Sequence, residues 1–222
     1  MVIFTDLSEV FIRGFYGIEK LVAERFGKEV GDRFWQRHLE VNDDFQTLLR
    51  GRESEDEHWG KFFASGGNWP FGIEDAKAMF SENMRIRVDD GKVLKVYQRI
   101  IKFPEFVDSA KLIKGMPDVY LVSDHSLERL GDIRDNYPGI FQVTKKQFWS
   151  CQLGMIKSDP AFFPLMLKIT GLDPRDIILV DDSVDNIIAA AKCGISGINF
   201  QNSDQLERAL ESYGFELAPA TP

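Results

Sequence analysis

Residues 2–11, VIFTDLSEVF, set the frame for the rest of the chain. A short apolar run ends at Asp6, and a turn of small and polar residues, Leu7, Ser8 and Glu9, follows it. Continuous apolar runs are typical of parallel strands buried on both faces, and ligands of open parallel sheets lie beyond the carboxyl ends of the strands. Asp6 is therefore predicted to face a ligand, although an aspartate after a strand is, taken alone, more often a turn residue.

The composition is typical of a globular protein, and the net charge is unfavourable for binding to polyanions. The 222 residues are 44% hydrophobic, and 35 acidic against 27 basic residues give a net charge of −8. This charge argues against binding to nucleic acid or to an anionic membrane. Cys151 and Cys193 form neither a disulfide pattern nor a zinc pattern. With no secretory leader and no apolar run of about 18 residues, we expect a soluble cytoplasmic protein.

Residues 15–87, called the helical segment below, have a helical pattern and no convincing strand. Their apolar residues are spaced as on one face of each of four helices, predicted around residues 18–26, 34–49, 54–64 and 73–84. Its large aromatic residues, such as Trp35, Trp59 and Phe62, are expected in a core rather than against a ligand. The segment is predicted to be an all-helical insertion.

From residue 90 onwards helices alternate with short apolar strands, the pattern of a parallel sheet with crossover helices. Strands are predicted at residues 119–122, 147–150, 177–180 and 195–200. Five helices are predicted in this part of the chain: around Val93 to Ile101, in the residues before Asn136, from Ser158 to Gly171, from Val184 onwards, and from Asp204 to Tyr213. The fourth is predicted to have Val184, Ile187, Ile188 and Ala191 on its apolar face. A loop is predicted at residues 152–157, while residues 104–115 have no clear pattern.

Polar residues follow these elements at positions that a parallel sheet brings to one edge. They are Asp6, Ser123, Lys157 and the pair Asp181-Asp182. Carboxylates from two strand ends can hold Mg²⁺, while a hydroxyl, an ammonium and the N–H groups of helix starts suit phosphate oxygens. One carboxylate is then free to attack phosphorus. Taken singly, each residue is more often a cap, a turn or a surface residue. Only their occurrence in this order after successive predicted strands favours a shared functional site.

Four stretches resemble the motifs of the haloacid dehalogenase-like (HAD) superfamily of hydrolases, in the branch with a helical cap inserted after the first motif. Residues 2–11 resemble the nucleophile motif, and residues 119–125, VYLVSDH, resemble the serine motif. Residues 153–163, LGMIKSDPAFF, resemble the lysine motif, and residues 178–194, ILVDDSVDNIIAAAKCG, resemble the acidic metal motif. The last two are the most specific of the four.

The resemblance implies an α/β fold with a Rossmann-like parallel sheet core of residues 1–14 and 88–222. The helical segment, residues 15–87, would be the inserted all-helical cap. The implied site residues are Asp6 as nucleophile and Mg²⁺ ligand, Ser123, Asp124 and Lys157 around the phosphoryl group, the Ser8 backbone carbonyl and Asp182 as further metal ligands, and Asp181 and Asn186 in support.

The chain departs from the family pattern at Ser8. Phosphatases of the superfamily usually carry at this position a second aspartate, which protonates the leaving oxygen and then activates water. Loss of a general acid or base typically costs about 10²- to 10⁴-fold in rate, and a hydroxyl is a poor replacement. Glu9 is a conceivable substitute, and some capped members carry glycine at this position. Asp124, where many relatives have asparagine, adds negative charge near the phosphate site, and a register with Thr5 as the nucleophile position fits the motif less well.

The sequence therefore predicts a Mg²⁺-dependent phosphohydrolase that acts on a small phosphorylated metabolite through an aspartyl-phosphate intermediate at Asp6. One alternative is a catalytically weak or silent relative that binds a phosphorylated ligand or a protein partner, which Ser8 favours. Another is a 2-haloacid dehalogenase, whose halide leaving group needs no proton. His38, His58 and His125 show no ligand spacing and are interpreted as structural or surface residues. The substrate and the oligomeric state cannot be predicted from these patterns.

Overall fold

The computed structural model of the protein describes residues 1–64, 66–103 and 119–220. The strands are β1 (Val2–Thr5), β2 (Ile100–Lys102), β3 (Val119–Ser123), β4 (Lys146–Trp149), β5 (Ile177–Asp181), β6 (Ser196–Asn199) and β7 (Glu216–Leu217). Five of them form a parallel sheet in the order β4-β3-β1-β5-β6, and β2 pairs with β7 in an antiparallel ladder. The parallel sheet of the predicted α/β fold is confirmed.

Strand β1 lies at the point where the strand order reverses, with β3 on one side and β5 on the other. Thr5 at its end aligns with Leu121 of β3 and with Val180 of β5. The next residue of β1 and the last residues of β3 and β5 therefore emerge side by side. Ligands of open α/β sheets bind in the crevice at such a reversal point.

Both faces of the three central strands, β1, β3 and β5, are buried, which is why these strands are largely apolar. Ile3, Leu121 and Ile178 pack on the face that continues into the helical segment. Phe4 and Leu179, one residue further along, pack on the opposite face. Successive side chains of a strand point to opposite faces, so continuous apolar runs are what a sheet covered on both sides requires.

Helices cover both faces of the sheet. They are α1 (Ile18–Phe26), α2 (Lys28–Glu40), α3 (Asn42–Leu49), α4 (Glu55–Ala64), α5 (Ile73–Met84), α6 (Lys92–Gln98), α7 (Arg129–Asn136), α8 (Pro138–Val143), α9 (Ser150–Leu153), α10 (Phe162–Thr170), α11 (Val184–Ala191) and α12 (Ser203–Ser212). None of the helices in the described part of the chain is long and apolar enough to cross a membrane.

The helical segment contains α1 to α5, one helix more than its sequence predicts. The predicted helix of residues 34–49 is wrong, because the backbone leaves the helical range at Val41, with φ −105° and ψ 22°. The regularly spaced apolar residues of the range 34–49 are divided between α2 and α3. Trp59 and Phe62 are buried in the core of the segment, as predicted, and the ring of Phe34 lies 4.9 Å from that of Phe62 between centres, tilted by 44°.

Two further predictions, both for residues after the helical segment, are wrong. Ile100 and Ile101 form strand β2 rather than a helix, because Ile100 pairs with Leu217 of β7, which lies far along the sequence. Residues 152–157 are not all loop, since α9 reaches Leu153. Residues 104–115, which have no clear pattern, lie outside the described residues.

Helices α10 and α11 also differ from their predictions. Helix α10 begins at Phe162 rather than Ser158, because the Asp159 carboxylate accepts a hydrogen bond from the Ile156 N–H and so closes a separate turn. The predicted apolar face of α11 is wrong, since Val184 and Ile188 are 56% and 48% exposed. The helix buries its opposite side, where Asn186 bonds to the end of β5.

Two adjacent backbone connections join the helical segment to the rest of the fold, and among the described residues two ion pairs and several hydrogen bonds, such as the one from Ser150 Oγ to the Leu49 carbonyl at 2.6 Å, also link them. The Val88 N–H donates to the Phe11 carbonyl at 3.0 Å where the chain enters and leaves the segment. Arg129 of α7 forms a buried ion pair with Glu55 of α4. Arg50, after α3, pairs with Asp159, its Nε donating at 3.0 Å. The division into a core and a cap at residues 15 and 87 stays a prediction.

Candidate active site

The Asp6 carboxylate lies at the carboxyl end of β1 and is almost fully buried. Its backbone N–H still donates to the Val180 carbonyl at 2.9 Å, which continues the β1 and β5 pairing by one residue. One carboxylate oxygen, Oδ1, accepts from the Leu7 N–H at 2.6 Å. The other, Oδ2, lies 2.6 Å from the Lys157 Nζ. Asp6 is thus held in one orientation by backbone and by charge.

Lys157 bridges two strand ends although its side chain is only 1% exposed. Its Nζ contacts Asp6 Oδ2 and also Asp181 Oδ2, the latter at 2.7 Å. Burial alone would lower the pKa of Lys157, but the carboxylates of Asp181, Asp6 and Asp124 outweigh it and raise that pKa. Lys157 is therefore a fixed ammonium between two carboxylates.

Asp181 is the last residue of strand β5, Asp182 follows it, and the two have different surroundings. Asp181 Oδ1 accepts from the Ser183 N–H at 2.9 Å and from Asn186 Nδ2 at 3.0 Å, and burial raises the pKa of Asp181. Asp182 lines the cavity described below, and burial together with repulsion from Asp6 and Asp181 raises the pKa of Asp182 to about 7. Asp181 thus orients Lys157, while Asp182 faces the cavity.

Carboxylate oxygens of Asp6, Asp181 and Asp182 lie within 4.8 Å of one another, which makes this group capable of holding a metal ion. Three closely spaced carboxylates are the oxygen-rich donor set that hard divalent cations prefer. Their mutual repulsion, seen in the raised pKa of Asp182, is what a bound cation relieves. The residues present therefore fit a metal of this class.

Ser123 is the last residue of strand β3 and Asp124 follows it, but the two differ in access to the site. Ser123 is fully buried, its Oγ has no hydrogen-bond partner among the described residues, and it does not line the cavity. Asp124 does line it, and its carboxylate accepts from the Lys157 N–H at 3.1 Å. Burial, with repulsion from Asp6 and Asp181, raises the pKa of Asp124 to about 7. Asp124 therefore fixes the loop that carries Lys157.

The loop after Asp6 places Ser8 against a buried histidine. Ser8 Oγ lies 3.0 Å from His125 Nε2, within hydrogen-bonding distance. Burial, with the positive charges of Lys157 and Arg129, lowers the pKa of His125 to about 3, so this imidazole is neutral. A Cβ at Gly14 would lie 2.8 Å from Ser8 Cβ, so only glycine at that position leaves room for this arrangement.

Glu9 also borders the cavity, in a left-handed backbone conformation with φ 56°. One of its carboxylate oxygens accepts from the Gly14 N–H at 2.9 Å, and the other lies 3.4 Å from Arg13. Burial raises the pKa of Glu9. Both oxygens are therefore engaged in holding the loop, which argues against Glu9 as a freely acting acid.

A cavity of about 320 Å³ lies between the sheet edge and the helical segment. Asp6, Ser8, Asp124, Lys157 and Asp182 line one side of it. The helical segment lines the other with Phe15, Tyr16, His38, Asn42, Phe45, Gln46, Leu49 and Phe80. The volume is at the lower end of the range for small-molecule pockets, about 300–1,000 Å³.

The interpretation of the histidines as structural or surface residues missed two cavity residues, His38 and His125. All three histidines are buried, and only His58 does not line the cavity. His125 is the last residue of the serine motif, two positions after Ser123, so the sequence alone indicates its place at the sheet edge. His38 offered no such signal, because its direction depends on how α2 packs.

The sequence of the chain is similar to a known family and to several known proteins. A family model described as a haloacid dehalogenase-like hydrolase matches residues 1–194. Flavin mononucleotide hydrolase 1 of Arabidopsis thaliana is 34% identical over 71 residues, which is 32% of this chain and 29% of that protein. Acyl-CoA dehydrogenase family member 10 of Mus musculus is 25% identical over 197 residues, 84% of this chain and 18% of that protein. The matched stretch is less than a third of each of these relatives.

Solved structures share the fold. A HAD family enzyme of Bacteroides thetaiotaomicron in complex with magnesium and inorganic phosphate has a TM-score of 0.63 at 18% identity, covering 90% of this chain and 93% of that one. L-2-haloacid dehalogenase of Xanthobacter autotrophicus has a TM-score of 0.57 at 14% identity, covering 96% of this chain and 83% of that one. At these identities the likeness shows a common architecture and leaves the chemistry to the site.

Proposed function

Because the chain belongs to the haloacid dehalogenase-like hydrolase family, we propose that it is a Mg²⁺-dependent phosphohydrolase acting on a small phosphorylated metabolite. The observation that carries the proposal is the buried Asp6 carboxylate, fixed by Lys157 at the floor of a cavity that Asp182 also lines. The match to a flavin mononucleotide hydrolase supports a phosphomonoester as substrate. We also propose that the protein acts in the cytoplasm.

In the proposed reaction Asp6 is the nucleophile. An Asp6 oxygen forms a bond to phosphorus while the ester oxygen leaves with the bonding electrons and takes up a proton. Water then cleaves the aspartyl phosphate, which restores the carboxylate and releases inorganic phosphate. Lys157 keeps Asp6 oriented and compensates negative charge. Asp6, Asp182 and the Ser8 carbonyl would hold Mg²⁺, which when bound supplies positive charge against the phosphoryl oxygens.

The test of this function is phosphate release by the purified protein from p-nitrophenyl phosphate and from a panel of phosphorylated metabolites. We expect turnover with Mg²⁺ and none after chelation. Activity that persists in chelator, with halide released from a 2-haloacid, would instead identify a dehalogenase.

A second function, binding of a phosphorylated ligand or a protein partner with little turnover, is favoured by Ser8. This residue stands where the family's phosphatases usually have an acid and base, and its hydroxyl is paired with a neutral His125. Titration calorimetry with phosphate and Mg²⁺, paired with the turnover assay, separates binding from catalysis. Heat of binding without product would favour this second function.

Mg²⁺ is expected to stabilise the protein more at pH 8 than at pH 6. The pKa of Asp182, about 7 in the folded protein, is higher than in an unfolded chain, so the folded state holds the extra proton. The stability of the metal-free protein therefore falls as pH rises through about 7. The Asp182 carboxylate that ionises in this range is the group that binds the metal, so Mg²⁺ stabilises the protein more at the higher pH. At 100 times the Kd the gain is about 2.7 kcal/mol.

Thermal unfolding with and without Mg²⁺ at both pH values measures this effect. The Asp182→Asn variant is the control, and its midpoint should respond little to Mg²⁺ at either pH. An equal Mg²⁺ response in this variant would remove Asp182 from the metal site.

Ser8→Asp is expected to raise kcat by about 10²-fold for phosphate esters of alkyl alcohols, because it supplies the missing general acid and base. The gain should be small for p-nitrophenyl phosphate, whose leaving group needs no proton. Ser8→Asn, which has the same shape and no acidic proton, is the matched control. If Ser8→Asp and Ser8→Asn change the alkyl ester rates alike, proton transfer at this position does not limit the reaction.

A further inference from the structure

The helical segment contributes an uncharged wall to the cavity. Its hydrogen-bonding residues there include His38, Asn42 and Gln46, which lie on α2 and α3. Phe45 and Leu49 of α3 add apolar surface between them. No lysine, arginine, aspartate or glutamate of the segment's described residues lines the cavity.

The opposite wall, from the sheet edge, is acidic. Its carboxylates are those of Asp6, Glu9, Asp124, Asp182 and Asp185. Among the described residues that line the cavity, Lys157 is the one cation, and its ammonium is already held between Asp6 and Asp181. A bound metal and Lys157 can balance the charge of one phosphoryl group, but no cation is left for a second anionic group beyond it.

His38 is the most enclosed polar residue of the uncharged wall, with 4% of its surface exposed. Its ring stacks on Phe15 at 4.0 Å between centres and lies 5.0 Å from the ring of Phe45. Its Nδ1 is buried without a hydrogen-bond partner among the described residues. Burial, with the nearby His58, lowers the pKa of His38 to about 4, so the ring is neutral and carries one donor and one acceptor.

His38 lines the cavity, so a bound molecule can form a hydrogen bond with its neutral ring. We propose that the cavity takes phosphomonoesters of uncharged, hydroxyl-bearing alcohols, and that His38 determines this specificity by hydrogen bonding to a hydroxyl of the leaving group. The proposal rests on the proposed phosphohydrolase function. A carboxylate or a second phosphate on the leaving group would meet no cation among the described residues of this wall.

Glycerol 3-phosphate and 3-phosphoglycerate form a matched pair of probes, because they differ in a hydroxymethyl group against a carboxylate. Each is measured as an inhibitor of p-nitrophenyl phosphate hydrolysis with Mg²⁺ present. We expect the inhibition constant of glycerol 3-phosphate to be at least about 10-fold lower, because the acidic wall repels a second anion. Equal inhibition, stronger inhibition by the acid, or no inhibition by either would overturn the proposal.

Failure of the proposed function itself has a different signature, the absence of any p-nitrophenyl phosphate hydrolysis. In that case titration calorimetry of the same two probes with Mg²⁺ measures the selectivity directly. The Kd of glycerol 3-phosphate is then expected to be at least about 10-fold lower than that of 3-phosphoglycerate. The specificity of the cavity is thus tested whether or not the protein turns over.

The role of His38 is tested by His38→Phe, which keeps the ring packing and removes both nitrogens. We expect the inhibition constant of glycerol 3-phosphate to rise about 3- to 10-fold, the effect of one hydrogen bond. That of phenyl phosphate, whose leaving group has no further hydroxyl, should stay unchanged, and His38→Gln should restore part of the loss. His58→Phe is the matched control, since His58 is also a buried histidine of the helical segment but does not line the cavity; its Nδ1 lies 3.3 Å from a Glu53 carboxylate oxygen instead.

A rise of the same size for phenyl phosphate, or the same rise in His58→Phe, would show that His38 acts only through packing and would overturn its assignment. If His38→Phe does not fold, the comparison of His38→Gln with His38→Ala carries the same test. The first of these keeps a hydrogen-bonding group at the wall and the second does not.

Discussion

Asp6→Asn is expected to abolish phosphate release, with kcat reduced by at least about 10³-fold, the scale of losses when a covalent nucleophile is removed. The asparagine side chain has the same shape and can still accept from the Leu7 N–H, which holds Asp6 Oδ1 at 2.6 Å. It cannot form an acyl phosphate in the way a carboxylate does, and it loses the charge that faces the Lys157 ammonium. The loss is therefore expected in kcat far more than in folding.

The measurements are phosphate release and the intact mass of the protein after rapid acid quenching. Wild-type protein with substrate should show the mass of one added phosphoryl group, and Asp6→Asn should not. Asp185→Asn is the matched control, because Asp185 is an exposed carboxylate on the cavity wall outside the buried group. Similar rates in wild-type and Asp6→Asn proteins would exclude Asp6 as the nucleophile.

The sheet edge was predictable because it depends on local signals. Each of the central strands β1, β3 and β5 is a short, largely apolar run, and a parallel sheet with its helices on both faces brings the residues after such runs together. The contact of Lys157 with Asp6 and Asp181 follows from this topology, although the three residues are far apart in sequence. The resemblance to a known family added the roles, and the family model over residues 1–194 confirms the membership.

The remainder of the site could not be predicted, because it depends on how helices pack. The direction of His38 follows from the packing of α2, which sets its ring against Phe15 and Phe45, and no residue pattern marks the break at Val41. The burial of Asn186 on α11, against an apolar alternative face, follows from its hydrogen bond to Asp181. Spacing of apolar residues tells which positions share a helix face, but tertiary contacts decide which face is buried. The pairing of Ser8 with His125 is equally nonlocal.

Lys157→Met is expected to lower the free energy of unfolding by about 3–5 kcal/mol at pH 8, the usual cost of removing one partner from a buried ion pair. Methionine fills much of the same volume, so the cost comes from the carboxylates of Asp6 and Asp181, which lose the ammonium that lies 2.6 and 2.7 Å from them. Both carboxylates would then be buried close together without a compensating charge.

The sign of the pH dependence separates this explanation from lost packing. In the variant, burial and mutual repulsion keep the pKa of Asp181 above its unfolded value, a direction already present in the wild type. A raised carboxyl pKa gives stability that is lost as pH rises, so the deficit of Lys157→Met should be larger at pH 8 than at pH 5. In wild-type protein Lys157 stays charged over this range, because its own pKa is raised.

Urea unfolding of both proteins without metal at pH 5 and pH 8 measures the two deficits, with the m-value as a check on cooperative unfolding. Lys168→Met on α10 is the matched control, because Lys168 is exposed and its replacement should change stability by no more than about 0.5 kcal/mol. A deficit of the same size at both pH values would mean that the lost methylene contacts set the cost. The ammonium of Lys157 would then be dispensable for holding the two carboxylates together, and the orientation of Asp6 would have to come from the Leu7 N–H alone.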